Sequence, residues 1–141
     1  MFRKILVAVD GSPNSNEAMQ TAIDLAQRYT ASICLVHAFP HVSDLLGTPQ
    51  YETLLEARSA IGTQLLEAAR QQFPASMPVE PQLVEGPAAP AILRISVEEK
   101  CDLIVLGSRG YGQLAGMLLG SVSSVVAHRA QCAVLIVHGK R

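Results

Sequence analysis

The stretch GSRGYGQLAGMLLGS, residues 107–121, contains five of the ten glycines of the chain and directly follows an apolar run. Glycine permits positive φ angles and lets a ligand approach the backbone closely. Gly120 and Ser121 open a predicted helix, whose first N–H groups and dipole attract an anion such as phosphate. Asp10 follows another apolar run, and its carboxylate can only accept hydrogen bonds, such as those from a ribose or an adenine edge. Together these features predict a nucleotide-binding site.

Short apolar runs alternate with longer amphipathic stretches along the chain, which is the pattern of βα units around a parallel sheet buried on both faces. It predicts a single α/β domain over residues 1–141, with strands at 5–9, 33–38, 79–85, 103–106 and 133–137. We place the third strand at an edge of the sheet, because Pro81 cannot donate a ladder hydrogen bond. Residues 42–50 are predicted to form a loop after strand two.

Turn and capping residues indicate where the predicted helices begin and end. Ser12 is a suitable N-cap and Pro13 a suitable first residue for the first helix. One apolar face of this helix would carry Ala18, Ala22, Leu25 and Tyr29. A long second helix ends near Pro74. Its apolar face would carry Leu54, Ile61, Leu65, Ala68 and Phe73. A third helix follows Gly86 and Pro87, and a short fourth helix begins at Ser121.

The predicted sheet brings the two candidate binding regions together. In an open α/β sheet, ligands bind beyond the carboxyl ends of the strands where the winding reverses. Asp10 and the glycine-rich stretch, residues 107–121, should therefore face each other. Two common phosphate motifs are absent, because the chain lacks GxxxxGK[ST] and no GxGxxG follows strand one. A phosphoacceptor receiver domain would need an Asp after strand three and a Lys after strand five, where this chain has Gly86 and His138.

The composition limits the classes of binding partner to expect. A chain of 141 residues with 49% hydrophobic content can bury one compact core. The formal charge of −1 gives no reason to expect nucleic acid or an anionic membrane surface. No apolar run approaches the roughly 20 residues that span a bilayer, and the first apolar run is too short for a signal peptide. We therefore expect a cytoplasmic protein.

Histidines and cysteines are expected to be structural. His37 and His41 have the spacing of a metal-binding pair on a helix, but Pro40 lies between them at a strand end. We expect both histidines to be exposed or to have other partners. The three cysteines are widely spaced in apolar runs and should be small buried side chains: Cys34, Cys101 and Cys132.

Polar residues of the candidate site also have structural interpretations. Asp10 could be a turn acid that caps the first helix, although Ser12 already offers a cap. Ser121 could be an N-cap and still bind phosphate. Ser123 and Ser124 are either plain helical residues or phosphorylation sites.

The segments Ala8-Val9-Asp10-Gly11-Ser12 and Gly107-x2-Gly110-x9-Gly120-Ser121-Val122 resemble the universal stress protein family of the ATP-binding type. The resemblance extends over essentially the whole chain, including VEGPAAPAIL and CDLIVLGSRG. It implies an α/β fold with strand order 3-2-1-4-5, a homodimer and one adenine nucleotide per subunit. Some family members lack both the glycine pattern and the nucleotide.

By position, the resemblance also implies which residues contact the nucleotide. Its adenosine part would contact Val9, Asp10, Ala38, Leu106 and Gly107. Its phosphates would contact Gly110, Gly120, Ser121 and Val122, with Arg109 as the nearby cation. Mg²⁺ or Mn²⁺ would bind through the phosphates rather than through side chains.

These observations favour a stress-response protein that binds ATP and presents a nucleotide-dependent surface to a protein partner that the sequence does not identify. One alternative is a slow ATPase or autophosphorylating enzyme, for which the sequence offers no clustered carboxylates. A second is a nucleotide-independent, dimeric stress-protective protein. Strand five would be an apolar sheet edge and therefore the homodimer interface. Its residues are Ala133, Val134, Leu135, Ile136 and Val137.

Overall fold

The computed structural model describes residues 1–42, 47–109 and 119–139. The strands in these ranges are β1 (Lys4–Ala8), β2 (Ser32–Phe39), β3 (Val79–Glu85), β4 (Leu103–Gly107) and β5 (Ala133–Val137). The helices are α1 (Pro13–Tyr29), α2 (Thr48–Arg70), α3 (Ala88–Glu98) and α4 (Ser121–Arg129). The strands pair in parallel in the order β3-β2-β1-β4-β5. This confirms the predicted α/β class and strand order.

The predicted bounds of β3 and β5 are confirmed; those of β1 and β2 differ by one residue at each end, and that of β4 differs by one residue at its C-terminal end. The predicted loop at 42–50 extends too far, because α2 already begins at Thr48. Pro49 lies in the first turn of this helix, where its missing N–H would have no intrahelical partner anyway. Residues 43–46 of the predicted loop lie outside the described residues.

Alternate residues of the central strands face opposite layers of helices. On one side, Ile5, Val7 and Leu35 pack in the cluster that includes residues of α1 and α2. On the other side, Leu6 and Val36 pack in the cluster that includes residues of α3 and α4. All five side chains are at most 1% exposed. Burial on both faces explains why these strands are continuous apolar runs in the sequence.

The predicted apolar face of α2 is partly wrong. Ile61 is 66% exposed, and Ala68 is exposed as well. The buried residues of this helix are Gly62, Leu66 and Ala69. Gly62 lies on this buried face close to β3, where an added Cβ would lie 2.8 Å from Cδ1, the flexible end of Leu83. The spacing of apolar residues does not show this face, because two of its three buried residues are Gly62 and Ala69.

The predicted face of α1 differs from the structure at its C-terminal end. Tyr29 is 41% exposed and packs edge to face on Phe2, with 5.5 Å between the ring centroids. The buried residues of α1 are Ser15, Ala18, Met19, Ala22, Ile23 and Ala26. The buried face therefore follows small residues more closely than large ones.

The two edges of the sheet are β3 and β5. The edge position of β3, which carries Pro81, is as predicted. On β5 the side chains are half-buried or exposed, and Leu135 is 36% exposed. Within the described ranges, no helix combines the length and the apolar composition that crossing a bilayer requires.

Candidate functional site

A cavity of about 170 Å³ lies beyond the carboxyl ends of β1 and β4. Eight of the ten predicted site residues line it: Val9, Asp10, Ala38, Leu106, Gly107, Arg109, Gly120 and Val122. Ser121 is exposed and is not among the lining residues. Gly110 lies outside the described residues. The fold therefore joins the end of β1 and the start of α4, as the sequence predicts.

The β1–α1 turn, residues 9–12, positions Asp10 at this cavity. Gly11 has a φ of 83°, which other residues rarely adopt. The Oδ1 atom of Asp10 accepts a hydrogen bond from the Ser12 N–H at 2.8 Å. Ser12 in turn caps α1, because its Oγ accepts from the Ser15 N–H at 3.3 Å. Ser12 is thus the predicted N-cap, and Asp10 is a turn residue that also lines the cavity.

The side chain of His37 hydrogen-bonds the backbone of the same turn. Nδ1 of His37 lies 2.7 Å from the carbonyl oxygen of Val9. Since a carbonyl can only accept, this nitrogen carries the proton. His41 has a different partner, with its Nδ1 2.9 Å from Oε1 of Glu85. Each histidine therefore has a partner of its own, as the sequence interpretation expected.

Gly107 at the end of β4 is required by packing within the protein. A Cβ at this position would lie 2.8 Å from the backbone carbon and the Cβ of Asn14, in the first turn of α1. The described glycines with positive φ are Gly11 and Gly47, so Gly107 does not need that freedom. Of the two reasons that the sequence suggested for this glycine, positive φ is therefore wrong, whereas close approach of a ligand stays a prediction, because Gly107 lines the cavity.

The α4 start, residues 119–123, is tied to the end of β4. The N–H of Gly120 donates to the carbonyl oxygen of Ser108 at 2.6 Å and lies 3.0 Å from Oγ of Ser123. The same hydroxyl donates to the Ser108 carbonyl at 2.6 Å. The Gly120 N–H is therefore engaged inside the protein, contrary to its expected phosphate role. The N–H groups of residues 121–123 remain those without a carbonyl partner within the helix.

Seven lining residues were not predicted as site residues: Ala8, Ser12, Ser15, Val36, Ala88, Ile92 and Ser123. Val36 could have been inferred, because it lies two residues before Ala38 and so faces the same side of the sheet. Ser15 lies three residues after the Ser12 cap, as an N3 residue does. Ser123 has no such signal, since its contact with Ser108 depends on the path of the intervening chain.

The cavity is mostly apolar, with charge from two of its described lining residues, Asp10 and Arg109. Residues 110–118, GYGQLAGML, contain no charged side chain. Among the described residues, no group of three or more His, Cys, Asp or Glu side chains could hold a metal ion. An apolar pocket with one carboxylate, one guanidinium and a helix N-terminus fits a flat uncharged ring that carries an anionic group.

An open parallel sheet with a cavity at its switch point is the arrangement in which α/β proteins commonly bind ligands. A model of the universal stress protein family matches residues 1–138. The chain belongs to this family.

Individual relatives agree with this assignment over nearly their whole length. The "universal stress protein in QAH/OAS sulfhydrylase 3′ region" of Thermus aquaticus is 39% identical over 140 residues, covering 97% of this chain and 99% of the relative. The solved structure of universal stress protein UspA from Lactobacillus plantarum is 27% identical, with a TM-score of 0.84 and coverage of 96% and 97%. A universal stress protein solved in complex with cAMP is 29% identical, with a TM-score of 0.64 and 97% of each chain covered.

Proposed function

We propose that this universal stress protein binds an adenine nucleotide, ATP, in the cavity and acts as a nucleotide-dependent binding protein in the stress response. The observation that carries the proposal is the convergence of the β1–α1 turn and the α4 start on one cavity. The solved relative that binds cAMP, an adenine nucleotide, is 29% identical to this chain and supports the ligand class.

The nucleoside half of the proposal rests on the apolar lining. Val36, Ile92 and Leu106 present buried side chains to the cavity, and an adenine ring buries well against such groups. Asp10 adds a carboxylate that is already oriented by the Ser12 N–H. Its remaining acceptor sites can bind ribose hydroxyls or the adenine amino group.

The phosphate half rests on the α4 start and Arg109. The first N–H groups of α4 and its dipole attract an anion, and Arg109 can add a charge-assisted hydrogen bond. Mg²⁺ or Mn²⁺ would bind through the phosphates. A binding role is favoured over catalysis, because Asp10 is the single carboxylate among the described residues that line the cavity.

Titration calorimetry with ATP tests the proposal on matched leucine substitutions. Ala88 lines the cavity at the start of α3, so Ala88→Leu should fill it and weaken ATP binding at least tenfold. Filling a cavity commonly stabilises the fold, so the unfolding temperature should not fall. Ala127→Leu adds the same atoms to an exposed position of α4 and should bind like the wild type. The proposal would be refuted if the wild-type protein did not bind ATP, or if all three proteins bound ATP with equal affinity.

The proposed oligomer is a homodimer through β5. Among the described strands β5 is an edge of the sheet, and it exposes the side chain of Leu135; such an edge invites pairing with a second copy. Leu135→Lys should therefore produce monomers in sedimentation velocity runs at micromolar concentration. Val97→Lys changes an exposed apolar residue of α3 instead and should leave the dimer intact. A wild-type monomer under these conditions would contradict the proposal.

A further inference from the structure

The peptide group between Val9 and Asp10 is held at both of its polar ends by side chains. The N–H of Asp10 donates to Oγ of Ser15 at 3.3 Å. The carbonyl oxygen of Val9 accepts from Nδ1 of His37 at 2.7 Å. A peptide group is planar, so these two hydrogen bonds together fix its orientation. His37 therefore helps to set the direction in which the Asp10 side chain leaves the backbone.

The hydrogen bond from His37 reaches this peptide group from outside the turn. Hydrogen bonds within residues 10–15 determine the internal shape of the turn. His37 instead belongs to β2 and is 28 residues from Val9 in sequence. The pairing of β1 with β2 ends at Ala8 and Val36. Beyond that point, the His37 side chain and the bond from the Val9 N–H to the Val36 carbonyl, at 2.9 Å, tie the turn to β2.

The imidazole ring lies between the turn and α2. Val36 and Ala38 line the cavity, so His37, which lies between them on β2, faces the opposite side of the sheet. A Cβ added at Gly62 of α2 would lie 3.3 Å from Cδ2 of His37, which shows how closely this helix approaches the ring. His37 is half-buried and is not among the residues that line the cavity. Any effect of His37 on a bound ligand must therefore pass through the turn.

We propose that His37 is a positioning residue for nucleotide binding, whose Nδ1–H holds the Val9 carbonyl and thereby aims the Asp10 carboxylate at the nucleoside. This inference rests on the proposed function, because it assigns a role within the same site. Asp10 lines the cavity, and hydrogen bonds weaken steeply as they depart from linear geometry. Rotation of the peptide group between Val9 and Asp10 therefore weakens the contact of Asp10 with the ligand.

The positioning role requires one tautomer of the imidazole. A carbonyl oxygen only accepts, so the neutral ring must carry its proton on Nδ1 and leave Nε2 as an acceptor. Long-range proton–nitrogen correlation NMR of the neutral His37 ring, in protein without nucleotide, should show this tautomer. A proton on Nε2 would overturn the inference, whatever the protein binds.

Titration calorimetry with ATP on three His37 substitutions tests the role itself. The amide nitrogen of asparagine is bonded to Cγ, as Nδ1 of histidine is, whereas that of glutamine lies one bond further out. His37→Leu, which has no donor, should weaken ATP binding about fivefold, as the loss of one hydrogen bond does. His37→Gln should bind as weakly, and His37→Asn should recover most of the affinity.

Equal ATP affinities in the Leu, Gln and Asn variants would overturn the inference, because position 37 would then not act through a donor at Nδ1. Circular dichroism checks that each variant is folded. If His37→Leu does not fold, the other two variants still compare the two donor positions, because both carry the same amide group.

A double-mutant cycle with Asp10 distinguishes positioning from a general loosening of the site. Asp10→Ala removes the side chain that His37 positions. In this background, His37→Leu should cause no more than about a twofold further loss of ATP affinity, because the effects of coupled residues are not additive. A further loss as large as in the wild-type background would overturn the inference.

The same titrations separate this inference from the proposed function on which it rests. A wild-type protein that does not bind ATP would refute both. A wild-type protein that binds ATP no more tightly than His37→Leu would refute the role of His37 and leave the proposed function standing.

Discussion

The β1–α1 turn and the α4 start line the same cavity, but interactions of different range hold them. In the turn, Asp10, Ser12 and Ser15 bond one another within six consecutive residues. At the α4 start, Gly120 and Ser123 donate hydrogen bonds to the backbone carbonyl of Ser108, which directly follows β4. The turn can form from local sequence, whereas the α4 start depends on the assembled sheet. Substitutions at the α4 start should therefore cost more stability than substitutions in the turn.

The largest effect is expected at Gly107, where β4 meets α1. A Cβ there would lie 2.8 Å from backbone and Cβ atoms of Asn14, and a helix backbone cannot move aside cheaply. Gly107→Ala should lower the free energy of unfolding by about 2 kcal/mol, as measured by urea denaturation. Gly62→Ala is the matched control, because its Cβ would meet the flexible end of Leu83 at 2.8 Å.

In the control, the gain in helix propensity is about 1 kcal/mol and offsets the displacement of Leu83. The stability of Gly62→Ala should therefore stay near that of the wild type. If both variants lose the same free energy, the rigidity of the contact at Asn14 is not what requires glycine at position 107.

The difference between local contacts and contacts between residues distant in sequence also explains which features the sequence could predict. The cap at Ser12 and the first helix residue Pro13 are local, and the sequence identified both. The bounds of β3 were also predictable, because Pro78 precedes it and Gly86 follows it, and β5 was predictable as an apolar run that ends before His138. The reason for glycine at position 107 was not predictable, because Asn14 is distant in sequence and meets it only in the folded sheet. The exposure of Ile61 was missed because the buried residues of α2 are Gly62, Leu66 and Ala69, and apolar spacing does not identify a face that includes a glycine and an alanine.

The second largest effect is expected at Ser123, which is 2% exposed. Its hydroxyl donates to the Ser108 carbonyl at 2.6 Å and lies 3.0 Å from the Gly120 nitrogen. Ser123→Ala should cost about 1.5 kcal/mol in urea denaturation, because buried polar partners lose a hydrogen bond. ATP affinity should fall as the α4 start loosens.

Ser124 provides the control for this substitution. Its exposed side chain donates to the Gly120 carbonyl within the same helix, at 2.6 Å. Such a local bond adds little to stability, so Ser124→Ala should be near neutral. A larger loss at Ser124 than at Ser123 would show that the link from α4 to β4 does not stabilise this region.

A smaller effect is expected at Ser12 in the turn. Its hydroxyl caps α1 by accepting from the Ser15 N–H at 3.3 Å. Ser12→Ala should cost about 1 kcal/mol of unfolding free energy, and Ser12→Asn should recover most of it because Asn is also a good cap. Thermal unfolding followed by circular dichroism can rank the three proteins. A loss that Asn does not recover would point to a packing role for the buried serine instead of a capping role.

The smallest effect on stability, together with a clear effect on ATP binding, is expected at Asp10. In the wild type, the Ser12 N–H donates to Oδ1 of Asp10 at 2.8 Å. The amide oxygen in Asp10→Asn can accept the same hydrogen bond, so the turn and the unfolding free energy should be preserved. Hydrogen bonds to a charged acceptor are roughly twice as strong as neutral ones. Under the proposed function, the loss of charge should therefore weaken ATP binding about tenfold, or about 1.4 kcal/mol, in titration calorimetry. Unchanged ATP affinity would mean that Asp10 acts only within the turn, and the nucleoside half of the proposal would then have to rest on the apolar lining alone.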